Sequence, residues 1–416
     1  MANSLRPIDL YNDFNTLTAQ ETGGGLSNMT GLVNTITVGQ AAQLWGYETT
    51  LNKLSLAMGN TLIAVRPYSG NFSIMEERYD EYGQFLRKIS YFTDTFEASQ
   101  DWNIGSNIKQ LGDGSSIDHY KIRKRYPLEV WFNGQKVLQK HFTRFRKQLK
   151  LAFSSAEEFA RFYEGELVQI NNEIQMKKET GNRMITLNFI LGCLFGTGYP
   201  DGMKRNLTAE FNTKFGTAYK TKDLLSTHLP EFTKFFASIL KYQSDMMARP
   251  TTMFHATPTN QKNDAQQALT LWRHTPKSEQ RLLLASNVLY DMESLVYPEI
   301  FHDGYLRLSQ YESIPFWQSP NDPLHIAADK ANVLNVTTGL STDVVCTGIE
   351  NKVILGIMYD RMALQTAYHQ EDVVTTPVNA AGDYYNTFYH WAMDFRNDFT
   401  ENAVVFYMED ADKNAI

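Results

Sequence analysis

Between Ile63 and Lys150 lies a long segment with no convincing helical periodicity, and its two limbs carry opposite charge. From Glu76 to Asp101, the acids Glu76, Glu77, Asp80, Glu81, Asp94, Glu97 and Asp101 outnumber Arg78, Arg87 and Lys88. From Lys121 to Lys150 the balance reverses: Lys121, Arg123, Lys124, Arg125, Lys136, Lys140, Arg144, Arg146, Lys147 and Lys150 stand against Glu129. Gly105, Gly112 and Gly114 give the stretch between the limbs the composition of a loop tip. Asn133-Gly134, flanked by Leu128 to Phe132 and by Val137-Leu138, is a hairpin signal. An excursion of this length without its own core is either functional or ordered by a partner. The fold must therefore hold it from outside.

The rest of the chain is large enough to do so. At 416 residues it exceeds one minimal core and divides, by ordinary domain sizes, into two or three compact units. With 43% hydrophobic and 20% charged residues it is a folded chain and not a disordered one. The 13% of aromatic residues suits association surfaces or a tyrosine-rich core, and composition does not separate the two. A net charge of −7 argues against a protein whose main task is gripping phosphate backbones. Cys193 and Cys346 show neither zinc nor disulfide-framework spacing and are expected to be buried thiols. Met1 to Leu10 has no apolar signal core, and the most apolar run, Met184 to Phe195, is too short to span a bilayer. A soluble chain, intracellular when made and without membrane contact, is expected.

The first sixty residues are polar and broken by Gly23, Gly24, Gly25, Gly31, Gly39, Gly46 and Gly59, which reads as an extended arm packing against something else. The triple glycine is not a phosphate loop, because no Lys-Ser or Lys-Thr follows at the required spacing. Further on, Ser154 and Ser155 stand three residues before Glu157 and Glu158, a doubled capping box. Phe159, Phe162, Tyr163, Leu167, Ile170 and Ile174 then define one helical face, predicted to end near Lys177 or Lys178. A second apolar segment, Met184 to Phe195, follows Gly181 and stops at Gly196 to Gly202. From Leu224 to Pro323 the pattern is that of a compact mixed region, with an amphipathic helix through Phe232, Phe236 and Leu240, a buried strand at Arg281 to Ala285 and a helix after Ser286-Asn287. Val353 to Tyr359, Ala363 to Tyr368, Tyr384 to Phe395 and Ala403 to Met408 read as strands of a terminal antiparallel sheet. The fold class is α+β.

The motifs of the common enzymes are missing from the sequence, and a hydrolase would have to assemble its acids from distant segments. There is no HExxH, no GxSxG, no GxGxxG and no Walker loop. His369-Gln370-Glu371-Asp372 sets a His beside two acids, but neighbours along a strand point to opposite faces, so no metal or acid/base site is assigned. No catalytic residue and no cofactor is expected. The basic limb, residues 121–150, admits three readings: a nucleic-acid surface with Trp131, Phe132, Phe142 and Phe145 as stacking groups, a solvated hairpin, or a complement to the acidic limb in the same or a neighbouring subunit. The third fits the opposed charges best.

The order of parts resembles the HK-ninety-seven-like fold of tailed-phage major capsid proteins, and the closing segment is similar to those of the phi-twenty-nine type. The residues that carry this likeness are Tyr384-Tyr385-Asn386-Thr387-Phe388-Tyr389-His390-Trp391 and Asn402-Ala403-Val404-Val405-Phe406. The resemblance implies an N-terminal arm (1–62), an extended E-loop (63–150), a spine helix with the first part of the P-domain (151–223), an A-domain (224–334) and the closing part of the P-domain (335–416). It also implies a structural subunit of an icosahedral head, made in the host cytoplasm and residing in the virion. Such a subunit self-associates into pentamers and hexamers, meets a portal protein at one vertex and touches packaged DNA only weakly. Two departures from the family bear on this: no immunoglobulin-like decoration follows the last strand, and no long helical scaffolding segment precedes the arm, so a separate scaffolding protein is expected. No residue pair is singled out for covalent cross-linking. Within the E-loop the expected contact residues are Arg123, Lys124, Arg125, Trp131, Asn133, Gly134 and Lys136.

Overall fold

The computed structural model describes residues 66–77, 86–93, 120, 125–132, 136–145, 156–262, 269–291 and 311–410; the side chains of residues 86, 136, 156–163 and 370–372 lie outside that description. In chain order the elements are β1 (Glu76–Glu77), β2 (Leu86–Tyr91), β3 (Pro127–Phe132), β4 (Lys136–Phe145), α1 (Ala156–Phe195), β5 (Lys204–Asn206), α2 (Leu207–Phe215), α3 (Thr221–Leu224), α4 (Leu229–Met247), β6 (Gln280–Ala285), β7 (Tyr311–Ile314), β8 (Lys330–Leu334), β9 (Ser341–Val345), β10 (Val353–Asp360), β11 (Leu364–Thr375), β12 (Tyr384–Asn397) and β13 (Ala403–Met408). The chain forms two units. Of the described residues, the larger takes those within 70–137, 177–369 and 392–410, the smaller those within 66–69, 138–176 and 370–391.

At the centre of the larger unit is a five-stranded sheet in the order β5-β13-β10-β6-β7. Its middle strand β10 is buried at every residue, as the unbroken apolar run Val353 to Tyr359 requires of a strand covered on both faces. Ile354, Ile357, Tyr359, Leu283 and Val405 face one apolar cluster, which includes Ile185, Phe189 and Ile190 of α1. Val353, Leu355, Met358, Leu282, Leu284, Val404 and Phe406 face the other, built on Phe232, Phe236 and Leu240 of α4. The alternation along β10 changes phase once, between Ile354 and Ile357, where a bulge against β13 inserts one extra residue. Gly356 sits in that bulge, and a Cβ there would lie 2.6 Å from the Leu283 carbonyl oxygen. No other residue fits so close to a neighbouring backbone.

In the smaller unit Leu167, Ile170 and Ile174 of α1 pack on Phe142 of β4 and on Tyr389 and Trp391 of β12, where the rings of Tyr389 and Trp391 stack at 5.8 Å. Lys140 pairs with Glu173, and Arg144 pairs with Glu166 at 3.0 Å.

Three sequence expectations need correction. The helix does not end at Lys177 or Lys178; α1 continues unbroken to Phe195. Gly181 stays helical because its missing side chain makes room for the Phe395 ring, which would lie 2.7 Å from a Cβ. Asn133-Gly134 does not join a hairpin: β3 pairs with β2, while β4 neighbours β12 in the sheet ordered β1-β11-β12-β4. The closing strands also do not share one sheet. β10 and β13 pair antiparallel in the five-stranded sheet, whereas β11 and β12 belong to the four-stranded one. Local alternation marks strands well but not their partners, which tertiary packing selects.

Candidate assembly surface

Within the two-limbed segment β2 and β3 form an antiparallel ribbon, with Arg87 opposite Trp131, Ile89 opposite Glu129 and Tyr91 opposite Pro127. Side chains alternate across such a ribbon, so these six share one face, and all six are exposed. Trp131 is 58% accessible, Tyr91 59% and Ile89 46%, a concentration of large apolar groups in water that a monomer has no reason to keep. The Arg87 guanidinium bonds Glu129 at 3.0 Å and lies 5.6 Å from the centre of the Trp131 ring. Exposed pairs of this kind contribute about 0.5 kcal/mol each, enough to fix side-chain positions and too little to fold the ribbon.

What holds the ribbon is its other face. Leu128 is buried with Phe92, Leu269 and Leu271, and Tyr126 and Val130 pack against them. Beside this cluster Lys88 reaches into the turn between β12 and β13, where its ammonium pairs with Asp398 at 2.5 Å and with Glu401. Arg273 completes the group, 3.3 Å from Glu401, while also donating to the Thr400 carbonyl and the Ser90 hydroxyl. Two cations and two carboxylates thus balance in a nearly dry site, with Asp398 only 1% and Glu401 8% accessible. Burial pushes the Glu401 carboxyl above the ordinary glutamate range, against the pull of Lys88 and Arg273. His255, fully buried next to this turn, lies 3.1 Å from Asn402 Oδ1 and 3.0 Å from the Leu271 carbonyl, and burial lowers its pKa.

Of the contact residues read from the sequence, Trp131 lies at one end of the exposed face, opposite Arg87, and Arg125 is exposed just before β3. Lys136 opens β4, with its side chain outside the description. Arg123, Lys124, Asn133 and Gly134 lie outside the described residues. Among the described residues, no acid of the outgoing limb pairs with a cation of the returning limb. The one ion pair between the strands joins the minority charges, Arg87 and Glu129. Glu77 is bound by Arg361, which holds its carboxyl below the usual range, and Lys140 and Arg144 are taken up by carboxylates of α1. Two cations of the described part of the basic limb are thus already paired within the chain. Lys88, Arg273, Asp398 and Glu401 were not legible as a group, since they come from three distant stretches. The one local hint is that Asp398, Thr400, Glu401 and Asn402 fall together between two apolar strands. Among the described residues no group of His, Cys, Asp and Glu could hold a metal ion, and no helix is long and apolar enough to cross a membrane.

The exposed aromatic and aliphatic side chains of the ribbon suit an association surface, and comparison with known proteins agrees. The chain is similar to one in the capsid structure of Staphylococcus phage Andhra, at 13% identity and TM-score 0.51, over 85% of this chain and 87% of that one. It is also similar to a chain in the structure of the head fiber and inner core protein gp22 of native bacteriophage P68, at 12% identity and TM-score 0.50, over 83% and 86%. The fold is HK-ninety-seven-like. No curated protein sequence matches. The profile of one family, described as Phi29-like phage major capsid protein, matches residues 28–407. This chain belongs to that family and is a structural subunit of a phage capsid.

Proposed function

We propose that the exposed face of the β2–β3 ribbon is a subunit-to-subunit contact of the shell, with Trp131, Tyr91 and Ile89 as its apolar centre and Arg123, Lys124, Arg125, Asn133, Gly134 and Lys136 around it. The observation that carries this reading is the pairing of opposites in one ribbon: one face fixed to the larger unit by Leu128 and Lys88, the other apolar and open. Repeated contacts of this heterologous kind close into rings, so pentamers and hexamers are the assembly units under this reading. In the same reading residues 1–62 are an arm, 63–150 the E-loop, 151–223 the spine helix with the first part of the P-domain, 224–334 the A-domain and 335–416 the rest of the P-domain. A separate scaffolding protein and a portal complete the assembly, which takes place in the host cytoplasm. DNA contacts are weak and non-specific, in keeping with the net charge of −7. The protein catalyses no reaction.

The test is assembly of Trp131→Ala with Tyr91→Ala. Both side chains lie mostly in water, so the subunit keeps its stability to within about 0.5 kcal/mol. Removing two interface aromatics costs about 2 kcal/mol or more per contact, and particle yield at a fixed subunit concentration drops at least tenfold. Unchanged yield refutes the assignment of this face.

A further inference from the structure

Strands β8 and β9 form a hairpin on their own, with Lys330 opposite Val345, Asn332 opposite Asp343 and Leu334 opposite Ser341. The bonds Cys346 N–H to the Asp329 carbonyl and Asn335 N–H to the Leu340 carbonyl fix the ladder's parity. Ala331 and Val333 point their backbone groups at β9, and Asn332 and Leu334 point theirs away. Those outward groups of β8 are capped by side chains. The Asn188 amide of α1 accepts from Asn332 N–H at 2.8 Å and donates to the Asn332 carbonyl at 2.9 Å. The Tyr199 hydroxyl accepts from Leu334 N–H at 3.0 Å and donates to the Leu334 carbonyl at 2.9 Å. Two side chains thus stand in for a third strand and close that edge.

The opposite edge is treated differently. By the same parity Ser341, Asp343 and Val345 direct their N–H and carbonyl groups outward from β9, and no described residue bonds them. Their side chains are exposed, Val345 at 64%. Natural edges of this length are usually blunted by lysine, proline or a covering element. Here Asp343 is the single charge on the strand, and its carboxylate already accepts from the Asn332 amide.

We infer that the β9 edge is a strand-addition site, and that its occupant is the segment Val33-Asn34-Thr35-Ile36-Thr37-Val38 of this chain's own arm, supplied by a neighbouring copy in the shell. This rests on the shell reading above. No Asp, Glu, Lys, Arg or His occurs between Glu21 and Glu48, and residues 33–38 are the β-branched core of that stretch. An uncharged, β-branched run matches an edge that offers open backbone groups and one exposed aliphatic side chain, Val345. The residues between Val38 and Arg66 reach about 90 Å when extended, enough to arrive from an adjacent subunit.

Two measurements on the full-length protein test this. In hydrogen exchange, the Ser341, Asp343 and Val345 amides exchange freely in the unassembled subunit and slow at least about tenfold in assembled particles, while Asn332 and Leu334 are protected in both. In disulfide scanning, Thr35→Cys, Ile36→Cys or Thr37→Cys combined with Asp343→Cys gives an intermolecular cross-link in particles from at least one pair. If wild-type particles form but those three amides stay fast, the edge is unoccupied and the inference falls while the shell reading stands. If the amides slow but no pair cross-links between subunits, another segment fills the edge and the assignment of the arm is wrong. If no particles form, the shell reading fails first and the inference fails with it.

Discussion

Replacing Lys88 by methionine isolates the buried charge cluster that holds the ribbon. Methionine keeps the apolar stem and removes only the ammonium, which bonds both Asp398 and Glu401. Breaking a buried pair by removing one partner costs about 3–5 kcal/mol. Arg273 remains 3.3 Å from Glu401, and Asp398 still accepts from the Thr400 amide at 2.9 Å and its hydroxyl at 2.6 Å, so the lower end, about 3 kcal/mol, is expected. The loss depends on pH in a defined sense. Glu401 already has a raised pKa, and losing Lys88 raises it further. The stability tied to its neutral form is fully present below the unfolded pKa and is lost as pH rises through the folded one. The penalty of Lys88→Met is therefore largest at pH 7 and shrinks as pH falls toward the ordinary glutamate range. His255, whose lowered pKa costs stability on acidification, titrates in both proteins and cancels from the difference. Glu401→Gln added to Lys88→Met should recover about half the loss at pH 7, because a neutral amide is far less costly to bury than an unpaired carboxylate. The assay is urea unfolding of the unassembled subunit from pH 5 to 8, with amide exchange across β2 and β3. A penalty under about 1 kcal/mol, or one that does not change with pH, refutes the electrostatic account of how the ribbon is held.

Gly356→Ala forces a Cβ to 2.6 Å from the Leu283 carbonyl and should cost about 2 kcal/mol, read as a lower urea midpoint with an unchanged slope. Tyr359→Phe removes a hydroxyl that is fully buried without a hydrogen-bond partner, so the variant should be as stable as the parent or up to about 1 kcal/mol more stable by thermal unfolding. Gly181→Ala improves intrinsic helix propensity by about 1 kcal/mol yet drives a methyl group into the Phe395 ring. A net loss in Tm confirms that glycine is there for packing.

Much of this fold can be read from local pattern. The spacing of Leu167, Ile170 and Ile174 announces α1, the run Val353 to Tyr359 gives a fully buried strand, and the spacing of Phe232, Phe236 and Leu240 gives the buried face of α4. Pairing is not local. β3 and β4 flank an Asn-Gly signal, yet their partners lie elsewhere in the sequence, because burial of Leu128 on one side and Phe142 on the other decides where each strand goes. The end of α1 was misjudged because Gly181 breaks helices in isolation, and only its contact with Phe395 explains why it does not do so here. In the candidate surface Trp131 is legible as an aromatic in a strand flanked by charge, and its exposure comes from the structure. Lys88 is not, since nothing near it in sequence distinguishes a lysine bound to buried carboxylates from one in water.

The most direct test of the central claim is negative-stain microscopy of the full-length chain co-produced with the other head proteins of its phage, wild type beside Trp131→Ala/Tyr91→Ala. The account predicts uniform closed particles, or five- and six-membered rings, from the wild type and dispersed folded subunits from the variant. Dispersed wild-type subunits would contradict the shell-building role, and particles of equal yield from the variant would contradict the place given to the ribbon.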